Sequence, residues 1–461
     1  MENEEFGAVL DGLATYLVDL EYDDVPDEVL ERERTHVLDT LGCVLYGSTT
    51  PWVRKVVRTC DRLGEAGAAS VLGLDASVPP ARAALINGTA AHSMDYDDHC
   101  QEAGVHAGSA TLPAALAYAE TADRTVSGRE LLTALVAGVE VGIRSGFGIG
   151  YGSVGRGWHI AGWTGAFAAA ATASKLLGLD HDRTAHALAV AGTQGCGLLG
   201  AQYGAEVKRF HMGKAAEAGY LGAALAREGF TGDVRIFEER YGAIGPTMSD
   251  DYDVDAVTED LGRRYRLMDK LSLKPFPSVG QVHAPVDAVG EVLRREDLDP
   301  DDVTAVTVRA TPTVKDHVGW EYEPTDVMSA QANIQYAVAT LLLDGDVTID
   351  AYTEAAIRRP AVLERVNDVT VVADESLRET TFGSVVEVST ANRTYEHAVH
   401  TPRGYPSNFL SEAELRRKFH TQATKAVSRD ASDALVDLVS TLDAVDDVGA
   451  VLERCRPDGE G

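Results

Sequence analysis

The chain has 461 residues, which is enough for two or three domains with sizeable buried cores. Its 41 lysine and arginine residues stand against 72 aspartate and glutamate residues, so the formal net charge is −31 at pH 7. Because nucleic acids and anionic membranes are bound mainly through lysine and arginine, this charge argues against both as partners and predicts a solvated acidic surface of the halophilic kind.

The cysteines and the first residues predict a cytoplasmic protein. The five cysteines are widely spaced and form no CxxC pair, which argues against a structural zinc site, an iron–sulfur cluster and a disulfide framework. Residues 1–6 carry three glutamates where a secretory signal would be basic, and no apolar run approaches about 18 residues. We therefore expect reduced thiols and no membrane association.

The chain up to residue 266 predicts a helical domain. Alanine and leucine dominate there, and apolar residues recur at spacings of three and four. Gly178 and Gly229 follow two of the apolar stretches directly, as glycines do at helix C-termini. The clearest predicted helices cover residues 113–122, 128–143, 161–177 and 214–227.

A second pattern begins near residue 267. Short β-branched stretches at 303–310, 368–373, 385–390 and 394–399 predict strands, the last two joined by a hairpin, and residues 331–343 predict a helix between them. Helix resumes at Ser411, which begins a capping box with Glu414. The prediction is a mainly α fold, in which a helical domain of residues 1–266 and 405–461 carries an inserted, smaller α+β lid domain of residues 267–404.

One 15-residue stretch concentrates acid and base groups. Held near one carbon atom, imidazoles and carboxylates can exchange protons at neutral pH, so an acid/base site is one interpretation. An acidic loop with incidental histidines is the other, and the spacing fits no standard metal site. The six side chains are those of His92, Asp95, Asp97, Asp98, His99 and His106.

His159 lies just before the predicted helix at residue 161. A helix N-terminus lowers the pKa of a nearby imidazole and favours its neutral form, which can act as a base. The flanking Gly157 and Gly162 would let a ligand approach the backbone closely. The alternative is a histidine that is hydrogen-bonded only for structure.

The lysines are few and unevenly placed. Only nine are present, and four of them lie between residues 208 and 274. Lys208 and Arg209 begin a cationic run directly before the predicted helix at 214, where free N–H groups also favour anions. Lys274 precedes Pro275 at the junction of the two predicted domains. These cations predict a carboxylate-binding pocket, and salt bridges to the acidic surface are the alternative.

Together these segments resemble the MmgE/PrpD family, which includes 2-methylcitrate dehydratases and cis-aconitate decarboxylases. The resemblance implies a helical domain built from both chain ends, an inserted lid, a homodimer and a reaction without cofactor or metal. It rests on the order and spacing of NGTAAH at 87–92, MDYDD at 94–98, GWH at 157–159, KRFHMG at 208–213, GFTG at 229–232, KPFP at 274–277, His283 with Asp287, and KF at 418–419.

The resemblance also implies an active site between the helical body and the lid. Carried over by position, the histidines would supply base and acid, Asp95 would orient them or share a proton, and the tyrosine would hydrogen-bond the substrate. Lys208, Arg209 and Lys274 would bind carboxylates, with His99 beside them. The residues implied as catalytic are Asp95, His106, His159 and Tyr336.

The function that the resemblance implies is dehydration of a small tricarboxylate such as 2-methylcitrate. Val279 stands five positions after Lys274, where the decarboxylases can have a histidine, and this departure favours the dehydratase. The alternatives are a cis-aconitate decarboxylase, an epimerase or isomerase of a small dicarboxylate, and a non-catalytic protein that binds carboxylates.

Overall fold

The computed structural model describes residues 6–238, 240–378 and 383–457. Its larger unit is helical and contains one short antiparallel pair, β1 (Ala69–Ser70) with β2 (Ser77–Val78). The helices before residue 275 are α1 (Ala8–Asp19), α2 (Asp27–Ser48), α3 (Pro51–Arg62), α4 (Pro80–Ala91), α5 (Gly108–Thr121), α6 (Gly128–Ile149), α7 (Gly152–Gly155), α8 (Ala161–Leu177), α9 (His181–Gly192), α10 (Val207–Arg227), α11 (Ile244–Met248), α12 (Asp255–Thr258) and α13 (Arg266–Lys270).

The centre of the larger unit is α8, whose many alanines let α6 and α10 pack closely on either side. Close approach also brings α10 onto α4, because a Cβ atom on Gly213 would overlap the carbonyl oxygen of Leu85. This contact matters for function, since Lys208 begins α10 and the acid/base stretch follows α4 directly.

Helix α6 is buried although it carries charge. Glu140 and Arg144 pair within it at 3.1 Å, and Glu140 also accepts the Leu267 N–H at 2.9 Å. Among the described residues α6 alone has the length and hydropathy of a membrane span, and 94% of its apolar stretch is buried inside the protein, as in a core helix.

The smaller unit packs helices on a four-stranded sheet of order β4-β3-β5-β6, in which β3 and β4 are parallel and the other pairs antiparallel. Val308 lies opposite Val371 on one side and Val386 on the other, and all three belong to the core beneath the helices. The elements are α14 (His283–Glu296), β3 (Val303–Ala310), α15 (Pro312–Val318), α16 (Val327–Gln331), α17 (Ile334–Asp344), α18 (Pro360–Arg365), β4 (Val369–Ala373), β5 (Ser384–Thr390) and β6 (Thr394–Val399).

After the smaller unit the chain returns to the larger one through α19 (Glu412–Ala423), α20 (Arg429–Ser440) and α21 (Gly449–Arg454). Phe419 and Val436 share a core with Leu41 of α2, so both ends of the chain contribute to the same hydrophobic interior. The mainly α fold expected from the sequence is confirmed, and the capping box at Ser411 is present.

One helix boundary differs from the prediction in a way that affects the site. Helix α10 begins at Val207, seven residues before the predicted start at Lys214. The cationic run looked like a loop in sequence, but Met212 is fully buried and Gly213 packs against α4, so tertiary contacts extend the helix. Lys208 and Arg209 therefore lie inside its first turn.

Candidate active site

A cavity of about 760 Å³ lies between the two units. The smaller unit contributes Val279, Gln281 and His317 to its wall. Most of the residues predicted from the sequence are brought together there, although they lie far apart along the chain. Those lining the cavity are Asp95, His99, His106, His159, Lys208 and Lys274.

The carboxylate of Asp95 lies between two lysines. Lys208 Nζ is 2.9 Å from Oδ2, while Lys274 Nζ contacts Oδ1 and donates to the Asp95 backbone oxygen at 3.0 Å. Burial would raise the pKa of Asp95, but Lys208 and Lys274 outweigh it and hold that pKa well below its usual range. The three side chains together leave one net positive charge in a buried site.

Asp95 adopts a left-handed backbone conformation with φ of 52°, which costs roughly 1 kcal/mol for a residue other than glycine. Its bonds to the two lysines compensate for this conformation. Lys274 is itself fixed by its neighbours, since the Leu273 N–H donates to the Gly404 carbonyl at 2.9 Å. The charged group at the centre of the cavity is thus held from three separate segments of the chain.

The orientation of His106 is set by a backbone carbonyl. Its Nδ1 lies 2.8 Å from the Asp98 carbonyl oxygen and 3.2 Å from Asp97 Oδ2. Because a carbonyl oxygen only accepts hydrogen bonds, Nδ1 carries the hydrogen, and Nε2 of the neutral ring has the free lone pair. His106 lines the cavity with its side chain 14% exposed, so the arrangement suits a general base.

Asp97 helps to hold His106 in place. It accepts hydrogen bonds from His92 Nδ1 at 2.9 Å and from Ser109 Oγ at 2.6 Å, and the histidines hold its pKa well below its usual range although burial opposes this. Ligand atoms of His92, Asp97 and His106 lie within 4.8 Å of one another, as they would around a metal ion. Their mutual hydrogen bonds account for that clustering.

His159 precedes α8 by two residues, as expected. Its Nδ1 lies 2.9 Å from Nδ1 of His211, so one of these nitrogens donates and the other accepts. Burial, followed by the charge of Lys208, lowers the pKa of His159 well below its usual range. The ring is therefore neutral at pH 7, as predicted, although burial is the main cause.

His99 also lines the cavity, beside the Lys274 segment. Its backbone pairs with Ser272, and its Nε2 lies 3.4 Å from the Tyr405 hydroxyl. Burial and the charge of Lys274 lower its pKa well below the usual range. The position is compatible with the predicted substrate contact, which a neutral imidazole would make by a hydrogen bond.

Arg209, predicted to bind substrate, is not among the residues that line the cavity. Its Nε donates to the Ser93 carbonyl at 2.7 Å, and its guanidinium lies 4.3 Å from the centre of the Trp52 ring. Successive residues of a helix point about 100° apart, and here Lys208 faces the cavity while Arg209 faces Trp52 and the Ser93 carbonyl. Arg209 instead anchors the start of the acid/base stretch.

Tyr336, predicted to be catalytic, also does not line the cavity. It is 1% exposed in the core of the smaller unit, its hydroxyl donates to the Ala351 carbonyl, and its ring packs against Tyr322 and Tyr352. It is absent from the cavity wall because its side of α17 faces the interior of its own unit. The contacts that the structure shows for Tyr336 are packing contacts within the smaller unit.

We expect Tyr336→Phe to lower the free energy of unfolding by about 1–3 kcal/mol, because the Ala351 carbonyl loses its buried donor. The catalytic rate should stay within about twofold of wild type. Urea unfolding and steady-state kinetics measure the two effects, with the fully exposed Tyr241→Phe as a silent control. A large loss of rate in a stably folded variant would restore the catalytic role.

Asp98 should make stability depend on pH. Burial and the neighbouring Asp97 raise its pKa to about 7 in the folded protein, from 3.8. Between these values the folded state binds more protons than the unfolded state, so the free energy of unfolding falls as pH rises through this window and stays low above it. Asn at position 98 can still accept the Gly108 N–H but does not titrate.

We therefore expect Asp98→Asn to gain stability relative to wild type as pH rises, with the largest difference above pH 7. Urea unfolding of both proteins at pH 5 and pH 8, at one salt concentration, measures the difference. Asp250→Asn, at an exposed carboxylate, is the control. Equal differences at both pH values would show that Asp98 does not titrate in this range.

The sequence missed His317, which the smaller unit contributes to the cavity. His317 lies in α15. Its Nδ1 contacts Gln281 Oε1, and its Nε2 lies 3.3 Å from Gln202 Oε1. No motif surrounds His317 in the sequence. Its place in the cavity depends on how α15 packs across the junction, which local pattern does not reveal.

Comparisons with known proteins agree with this arrangement. The MmgE/PrpD N-terminal domain model matches residues 11–255, and the MmgE/PrpD C-terminal domain model matches residues 276–444. The chain is 30% identical to a cis-aconitate decarboxylase-like protein, oryM, of Aspergillus oryzae, over 97% of each chain.

Two further relatives match over almost their whole length. A cis-aconitate decarboxylase of Aspergillus terreus is 31% identical, over 94% of this chain and 92% of its own. The cis-aconitate decarboxylase of Homo sapiens is 29% identical, over 95% and 93%. Matches that run through both units show that this enzyme belongs to the MmgE/PrpD family of lyases.

Proposed function

We propose that the enzyme is a cofactor-independent dehydratase of a small tricarboxylate of the 2-methylcitrate class. The supporting observation is the imidazole of His106, whose Nδ1–H is fixed on the Asp98 carbonyl so that Nε2 is left to face substrate, in the same cavity as two lysines. Dehydration begins by removing a proton from a carbon next to a carboxylate, so it needs a base in its unprotonated form and cations to stabilise the resulting charge.

The two lysines differ in how many hydrogens they have free. Lys274 makes two contacts to Asp95, whereas Lys208 makes one and keeps two N–H groups for substrate. In the proposed reaction His106 Nε2 takes the proton from carbon, and Lys208 gives a proton to the departing hydroxyl, which leaves as water. Lys274 stabilises the enediolate-like charge, and His159 orients the hydroxyl by a hydrogen bond.

Decarboxylation of cis-aconitate is the second candidate, because the relatives compared above carry that name. It would begin by loss of CO2 and then need an acid to protonate the carbanion; the buried His159 is neutral, so Lys208 would have to supply that proton. Val279 lines the cavity where the family's decarboxylases can have a histidine, so this position supplies no acid. These two observations favour dehydration.

The test is to incubate the purified protein in molar potassium chloride with 2-methylcitrate, citrate or cis-aconitate and to follow the products by NMR. We expect loss of water and formation of an unsaturated tricarboxylate. Release of CO2 from cis-aconitate alone would establish the second candidate. Tight binding without any turnover would mean that the protein only binds carboxylates.

Treatment with a chelator tests whether the cluster of His92, Asp97 and His106 holds a metal ion. We expect activity to be unchanged after treatment with EDTA, because hydrogen bonds among His92, Asp97 and His106 explain their arrangement. Strong inhibition that added metal reverses would show that the cluster holds an ion and would replace the proposed base.

A further inference from the structure

The walls of the cavity differ in charge. The larger unit contributes Lys208 and Lys274 with their shared partner Asp95, whose carboxylate neutralises one of the two cations. Among the described residues that the smaller unit contributes to this cavity, His317 is the one with an ionisable side chain. A substrate with three carboxylates therefore brings more negative charge than the lysine side can balance.

His317 lies across the junction from its partners. Its Nδ1 contacts Gln281 Oε1, and its Nε2 lies 3.3 Å from Oε1 of Gln202, which belongs to the larger unit. A glutamine amide can present either its oxygen or its NH2 group after a half-turn, so the two glutamines suit a neutral imidazole as well as an imidazolium. The longer of the two bonds is the one to Gln202.

We propose that His317 binds the substrate carboxylate that the two lysines do not hold, so that a tricarboxylate spans both units. This inference rests on the proposed function and identifies what distinguishes a tricarboxylate from a dicarboxylate in this cavity. The carboxylate replaces Gln202 at Nε2, while Gln281 keeps Nδ1 in place. The imidazole takes up a proton from solvent as the ligand binds, and the resulting imidazolium donates to the carboxylate.

The charged groups that act on the imidazole explain why the proton arrives with the ligand. Burial and then Lys208 lower the pKa of His317, and Asp95 opposes them. Gln281 and Gln202, which contact the ring directly, are neutral. A carboxylate placed beside the ring would favour the imidazolium, so ligand binding and proton uptake are coupled.

The test compares two unreactive ligands, tricarballylate with three carboxylates and glutarate with two, by isothermal titration calorimetry. Measurements in two buffers of different ionisation enthalpy give the number of protons taken up. We expect His317→Asn to weaken tricarballylate binding by roughly ten- to hundredfold and to leave glutarate within about twofold. Proton uptake with tricarballylate should fall, and its affinity should depend less on pH than in wild type.

Gln202→Ala tests whether His317 binds the ligand or only joins the two units through its contact with Gln202. It removes the partner that the ligand displaces, so tricarballylate should bind as tightly as to wild type or more tightly. Equal weakening of both ligands by His317→Asn, unchanged tricarballylate affinity, or a matching loss in Gln202→Ala would overturn the assignment of His317. Failure of tricarballylate to bind the folded wild-type protein would instead overturn the proposed tricarboxylate function.

Discussion

His106→Gln is expected to lower kcat by about 10²–10⁴ and to change KM by less than about threefold. Glutamine can keep a hydrogen bond to the Asp98 carbonyl through its NH2 group, but it offers no nitrogen lone pair to accept a proton. Because the lysines and Asp95 stay in place, substrate binding is preserved while proton removal is lost. Steady-state kinetics on the substrate identified by NMR measures both constants.

The matched control is His420→Gln. His420 is a partly buried histidine whose Nδ1 bonds to Ser432 Oγ at 2.7 Å, in helices of the C-terminal part. Its replacement changes the same chemistry outside the cavity and should leave kcat within about twofold. A kcat loss below tenfold in His106→Gln would remove His106 as the base and point to His159 instead.

Lys274→Met is expected to lower the free energy of unfolding by about 3–5 kcal/mol and to reduce kcat/KM by more than about 10³. Lys274 is 2% exposed and provides two of the contacts that hold Asp95. Removing it leaves a buried carboxylate with Lys208 as its remaining partner and removes the charge proposed to stabilise the intermediate. Urea unfolding and kinetics measure the two losses separately.

A double variant tests whether Lys274 acts only through Asp95. Asp95→Asn added to Lys274→Met leaves Lys208 as a buried cation without its carboxylate partner, so it should lower stability further and recover no activity. Lys425→Met is the control, because its pair with Asp350 at 2.8 Å is largely exposed and contributes about 0–1 kcal/mol. Recovery of activity together with stability would mean that Lys274 acts only as a support for Asp95.

Local sequence pattern was sufficient for much of the secondary structure. The bounds of α8, β3 and β6 agree with the predicted residues, and β4 and β5 each differ by one residue at their first position. Apolar periodicity and turn residues depend only on positions close together in the chain. Helices and strands can therefore be predicted from them without knowledge of the fold. At the start of α10 long-range packing determines the helix boundary, and there the predicted start was wrong by two turns.

The same distinction holds for the active site. The scarcity of lysines and the density of histidines within residues 92–106 pointed to Lys208, Lys274 and His106, since unusual side chains are visible in sequence. Arg209 and Tyr336 do not line the cavity, because positions of a helix face different surroundings and only packing decides which of these surroundings is the cavity. His317 had no sequence signal of its own.

The net charge of −31 was determined by the sequence alone, and it argued against polyanionic partners without a structure. What the tertiary structure decided is how such a protein can present positive charge to an anionic substrate. Two buried lysines lie against one aspartate, so the aspartate balances one of the two cations and one net positive charge remains. Such pairing depends on segments more than a hundred residues apart meeting at one point, and local sequence carries no information about that distance.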